Sequence, residues 1–150
     1  MKHFNVIATM VVASVALVLT GCNRGGLPNM VKIRGTVTYN GQPLTQGTVV
    51  YVPQGAEGRQ ARGEIQPDGS YVLTSLKDGD GAQQGDYVIT VVSLKPHPGE
   101  PTTREEIERT GGRIVRESAI PDKYSNPATS GLADNVTKKH PGTKDIALTD

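Results

Sequence analysis

A single cysteine, Cys22, in 150 residues excludes an internal disulfide, so the fold must be held by its core. Tryptophan is absent and phenylalanine occurs once, which removes the side chain that sugar-stacking platforms most often use. A large excess of either charge is also lacking, with Lys+Arg 16 against Asp+Glu 15 and a net charge of +1. That balance gives no electrostatic reason to expect nucleic acid, whose binding rests on clustered cations neutralising phosphates. The length fits one domain and excludes a multi-domain enzyme, since single domains usually run to about 100–200 residues. No glycine-rich loop follows a strand and opens a helix, so no phosphate cradle and no cofactor are expected.

Long apolar runs are also missing, with one exception. Lys2 and His3 open the chain, and Val6 to Leu19 follows without a charge. As a helix this run is roughly 21 Å long, short of the ~30 Å hydrocarbon core, and both of its faces are apolar. A basic start and a short apolar stretch are the pattern of an export signal. The run ends in Leu19-Thr20-Gly21-Cys22. This resembles the bacterial lipobox, which implies a diacylglyceryl group on the Cys22 thiol and cleavage after Gly21. Two or three acyl chains anchor a protein durably where one does not. The same resemblance implies, from Asn23 rather than Asp after the cysteine, that sorting to the outer membrane is expected. Residues 1–21 are therefore expected to be a lipoprotein signal peptide. Residues 22–30, with Gly25, Gly26 and Pro28, are expected to be a flexible tether.

The mature chain has a thin core and reads as strands. Val31, Ile33, Gly35, Val37 and Tyr39 alternate with polar residues, the period of a strand with one face buried. Asn40-Gly41 supplies residues that tolerate positive φ at a tight reversal. Further strands are expected at 48–52, over 60–66 where Ala61, Gly63 and Ile65 alternate with polar residues, starting at Tyr71 and Leu73 after the Pro67-Asp68-Gly69 turn, and at 87–94. Leu132 to Val136 and Ile146 to Leu148 complete seven, divided by turn signals. The fold class expected is all-β, a single seven-strand antiparallel β-sandwich over residues 31–150. An insert at about 96–118 interrupts it. Thr102 and Thr103 each precede a glutamate by three residues, which allows a capping box in two registers, and Gly111-Gly112 stops the short helix.

The run Gly35-Thr36-Val37-Thr38-Tyr39-Asn40-Gly41-Gln42-Pro43-Leu44, with Gly47-Thr48-Val49 after it, resembles the opening of carboxypeptidase regulatory-like domains. Pro67-Asp68-Gly69-Ser70-Tyr71 and Gly85-Asp86-Tyr87 continue the likeness. Ile120-Pro121-Asp122-Lys123-Tyr124 and Thr129-Ser130-Gly131-Leu132 are similar to the tail of small bacterial lipoproteins with one such domain. The resemblance implies a transthyretin-like (prealbumin-like) sandwich and assigns no activity.

Candidates for chemistry are few. Transthyretin-like hydrolases end in Tyr-Arg-Gly-Ser, whereas this chain ends Ile146-Ala147-Leu148-Thr149-Asp150. His97 and His140 both stand in His-Pro-Gly turns and are expected to be solvated loop residues. Asp78, Asp80 and Asp86 suggest calcium, which favours clustered carboxylates, yet their order is not that of an EF-hand and is equally that of a turn. No catalytic residue and no metal ligand is assigned. The protein is expected to be a non-catalytic envelope lipoprotein that binds or braces a protein partner. The alternatives are a cell-surface polysaccharide module using loops 53–60, 77–86 and 96–118 with Tyr124, and a hydrolase dependent on Asp78, Asp86 or His97.

Overall fold

The computed structural model describes residues 27–56, 58–96, 104–109 and 116–150. The expected signal segment with Leu19, Thr20 and Gly21, most of the expected tether including Cys22, and most of the expected insert with His97 lie outside the described residues.

All seven segments read as strands form strands. They are β2 (Arg34–Tyr39), β4 (Gly47–Pro53), β5 (Ala61–Ile65), β6 (Ser70–Val72), β8 (Gly85–Val92), β9 (Leu132–Val136) and β10 (Ile146–Leu148). Three two-residue strands join them: β1 (Met30–Val31), β3 (Gln42–Pro43) and β7 (Ala82–Gln83). Among the described residues helix is confined to α1 (Arg104–Arg109), inside the expected insert, and a 3-10 turn at Asp122–Ser125. The protein is all-β and sandwich-like.

One four-stranded sheet runs β5-β4-β8-β9, and a second joins β10, β2 and β3 with β6 also paired to β2; β1 pairs with β7 in a small third sheet. Period-two burial orients them. Ala61, Gly63 and Ile65 of β5 are buried between exposed Arg62 and Glu64. Val37, Val49, Tyr51, Tyr71, Leu73, Ile89, Val91, Ile146 and Leu148 belong to one core fed by both four-stranded sheets. The sheets meet where Arg62 of β5 exchanges backbone hydrogen bonds with Thr74, just past β6.

The expectation of a wholly antiparallel arrangement fails at one pair. β10 lies parallel to β2, with Ile146 opposite Val37 and Leu148 opposite Tyr39. The reason is the return path. After β9 the chain crosses through residues 137–142 to the end of the domain where β2 starts, and so enters β10 in the direction of β2.

Strand direction also sorts the loops. Arg34, at the start of β2, stands opposite Val72 and beside Thr143. Segments 30–33, 73–81 and 137–142 therefore leave the sheet at one end, the Met30 end. The opposite end carries the Asn40-Gly41 reversal, where φ is 50° and 80°, as a type I′ turn requires. The base of the insert lies there too, with Leu94 bridged to Ser118.

Candidate functional site

The densest cluster of chemically capable side chains surrounds Asp134. Leu132, Asp134 and Val136 share the inward face of β9 by period two, so the carboxylate enters the protein beside the core. Tyr51 of β4 donates its hydroxyl to Asp134 Oδ2 at 3.0 Å. His140 Nε2 lies 3.2 Å from the same oxygen, and Lys144 Nζ lies 3.9 Å from Oδ1. The lysine also donates to the Ala133 carbonyl. Tyr71 extends the group by donating to the Lys144 carbonyl at 2.7 Å.

The His140–Asp134 pair is nearly closed to water, while the Lys144 side chain is 34% exposed. The side chains of His140 and Asp134 are 6% and 9% exposed, which corrects the expectation of a solvated His140. The His-Pro-Gly turn folds back on itself: the Gly142 N–H donates to His140 Nδ1 at 3.0 Å. That contact makes Nδ1 an acceptor, puts the ring proton on Nε2 and aims it at Asp134. Both ring nitrogens are thus engaged within the protein, which leaves neither to take a proton from a substrate. Burial holds the Tyr51 hydroxyl far above its ordinary value, and the neighbouring Tyr71 and Asp134 push the same way. Tyr71 is pushed up to about 12, chiefly by burial, with Tyr51 pulling against it. Tyr87 packs its ring at 5.6 Å from that of Tyr51 and donates to the Gln83 carbonyl. Among the described residues every buried side-chain nitrogen or oxygen has a partner, the condition under which a buried polar network rigidifies a core.

The aspartates of the glycine-rich loop do not converge. Asp80 turns inward and accepts the backbone N–H groups of Ser75, Leu76 and Lys77. Partial burial raises its pKa, but these hydrogen bonds together outweigh that and hold it below the ordinary carboxylate value. Asp86 instead accepts from Asn135 Nδ2 on β9, and Asp78 is exposed. Among the described residues no group of three or more His, Cys, Asp or Glu is placed to hold a metal ion.

Of the three loops suggested for polysaccharide, the first two meet, and the base of the third lies elsewhere. Residues 53–56 and 83–87, with Gly58, line an open cleft of about 530 Å³ at the Met30 end. The insert springs from the other end. Tyr124 is 6% exposed, with its hydroxyl bonded to the backbone of Thr149, so its ring presents no face to a sugar. The inward register of Asp134 was readable from the alternation of β9; the burial of His140 was not. Comparison with family models, with curated proteins and with solved structures returned no match.

Proposed function

We propose that this chain is a lipid-anchored bacterial envelope lipoprotein whose domain is a non-catalytic module for protein–protein interaction or structural support. The observation that carries the reading is the position of the only cysteine. Cys22 stands three residues past the end of the charge-free run Val6 to Leu19 and eight residues ahead of β1. That spacing leaves a short spacer between a lipid and the first strand. Leu19, Thr20 and Gly21 are the recognition residues for signal peptidase II, and the mature protein sits on the outer membrane, at its periplasmic face or the cell surface. The domain itself is taken as a transthyretin-like seven-strand sandwich with a short helical insert, the two-residue strands being edge extensions. A non-catalytic role is supported by the nearly closed state of the His140–Asp134 pair, where the histidine has no nitrogen to offer.

The anchor is tested by growing cells on labelled palmitate and by the mass of the mature N-terminal peptide. Label on the wild-type chain and none on Cys22→Ala supports the reading; an unmodified thiol in the mature protein refutes it. The partner is tested by cross-linking the anchored protein in native envelope. One dominant protein adduct, reduced by excess unlabelled protein, is the expected result.

Polysaccharide binding is favoured by one observation, the cleft lined by Gln54, Gln83, Gln84 and Asp86, whose amides and carboxylate suit hydroxyl groups. Saturable glycan binding lost on Gln84→Ala would move the assignment there.

A further inference from the structure

The chain enters the domain at the end where its exposed apolar side chains are concentrated. Eight residue steps separate Cys22 from Met30, a reach of at most about 29 Å when extended. A lipid on Cys22 therefore confines the Met30 end to the neighbourhood of the bilayer. The Asn40 end lies further out by the length of strands such as β8, roughly 26 Å for its eight residues.

Val72 and Leu76, 53% and 47% exposed, are two of the three large apolar side chains left exposed among the described residues. Both lie at the Met30 end. Arg34 stands opposite Val72 across the β2–β6 pair, and Lys77 follows Leu76. Lys32, Arg34 and Val72 line a groove of about 380 Å³ that Gly79, Pro141 and Thr143 complete. Lys138 and Lys139 are exposed on the adjoining 137–142 segment. Of the acids at this end, Asp80 is turned into its own loop and Asp86 is held by Asn135, while Asp78 is exposed. An exposed aliphatic tip surrounded by cations matches an anionic phospholipid surface. Aliphatic groups enter the headgroup boundary, and lysine and arginine stems lie along it with their charges at the phosphates.

We propose that the Met30 end of the domain rests on the anionic phospholipid surface that holds its anchor. Leu76 and Val72 contact the interface, and Lys32, Arg34, Lys77, Lys138 and Lys139 lie over the headgroups. This inference depends on the lipid anchor proposed above and adds an orientation to it: the Asn40 end, with the Leu94–Ser118 base of the insert, faces away from the membrane, towards a partner.

The test uses the full processed lipoprotein reconstituted into vesicles containing phosphatidylglycerol, or into vesicles of phosphatidylcholine alone. The mass of the N-terminal peptide first reports whether Cys22 carries lipid. With Cys22 blocked by its lipid, Leu76→Cys or Ala128→Cys supplies the one reactive thiol for an environment-sensitive fluorophore. Ala128 is exposed at the far end. The Leu76 label is expected to shift to the blue and to resist iodide quenching on the phosphatidylglycerol vesicles, while the Ala128 label stays quenchable. Adding Lys77→Gln or Lys139→Gln to the Leu76 variant lowers the docked-to-undocked ratio about fivefold each at low ionic strength. If lipid is present on Cys22 and the two labels quench alike, the inference fails and the anchor stands. Equal protection on phosphatidylcholine overturns the role of the cations. A mature chain without lipid overturns both readings.

Discussion

Tyr51 and Asp134 join β4 to β9 across the strand between them: the tyrosine hydroxyl reaches over β8 to the carboxylate at 3.0 Å. The same oxygen meets His140, so one atom ties two strands of a sheet to the segment leading towards β10. Replacing Asp134 by alanine strips Tyr51 and His140 of a shared buried acceptor and Lys144 of a nearby counter-charge. A loss of about 3 kcal/mol is expected, read as a lower urea midpoint at unchanged slope. Tyr51→Phe removes one donor and leaves the others, and is expected to lower stability by about 1 kcal/mol. The double variant should fall short of the sum, because the pair shares one contact.

Stability should be lost at both ends of the pH scale. The buried phenols of Tyr51 and Tyr71 have folded pKa values above the ordinary 10.0, Tyr71 at about 12. Between these values the unfolded chain releases phenolic protons that the folded chain keeps, so stability is full below pH 10 and falls as pH rises towards 12. Asp145 is lowered by the Thr36 backbone N–H and then its hydroxyl, and Asp80 by its loop N–H groups against the opposing effect of burial. Their contribution is present above the ordinary 3.8 and is lost as pH falls through their lower folded values. Urea midpoints measured from about pH 2 to about pH 12 should therefore trace a plateau with two falling edges.

The strands were legible because each repeats with period two over five or more residues or sits between turn residues. Val31 to Tyr39 and Ala61 to Ile65 are the clearest cases. The two-residue strands β1, β3 and β7 are too short to show any period. The parallel partnership of β10 with β2 depends on where the chain returns, which no local pattern encodes. His140 was hidden by its neighbours: His-Pro-Gly is turn chemistry, and only the inward Asp134 gives that turn a reason to be buried.

Two turn glycines separate backbone strain from crowding. At Gly41 φ is +80° and nothing lies within 4 Å of where a Cβ would stand, whereas at Gly81 φ is +90° and a Cβ would fall 1.9 Å from the Val31 carbonyl oxygen. Gly41→Ala is expected to lower stability by about 1 kcal/mol, the strain alone. Gly81→Ala must also push β1 away, and a loss of about 3 kcal/mol is expected. Thermal unfolding of the two variants side by side measures the difference.

The insert should be dispensable for folding. Lys95 N–H bonds to the Glu117 carbonyl and Ala119 N–H to that of Ser93, each at 2.8 Å, so the two arms are already held together at their base. Replacing residues 97–115 by a short Gly-Asn turn is expected to change the unfolding free energy by no more than about 1 kcal/mol, since loop length enters only logarithmically. If the insert faces a partner, the same variant loses its cross-linked adduct while retaining its urea midpoint.

The pairing of β2 with β10 also sets a schedule. Thr36 and Asp145, bonded backbone N–H to carboxylate at 2.8 Å, are 109 residues apart. A chain emerging N-terminus first exposes its first long strand early, and the neighbour that completes it arrives only with Ile146–Leu148. Contacts of such separation form slowly and late. On the anchored reading the chain is threaded through a membrane before it folds. This topology then acts as a timer, withholding closure of the β2 sheet until Ile146–Leu148 has passed, and a message cut short before that point yields a product whose first long strand lacks its parallel neighbour.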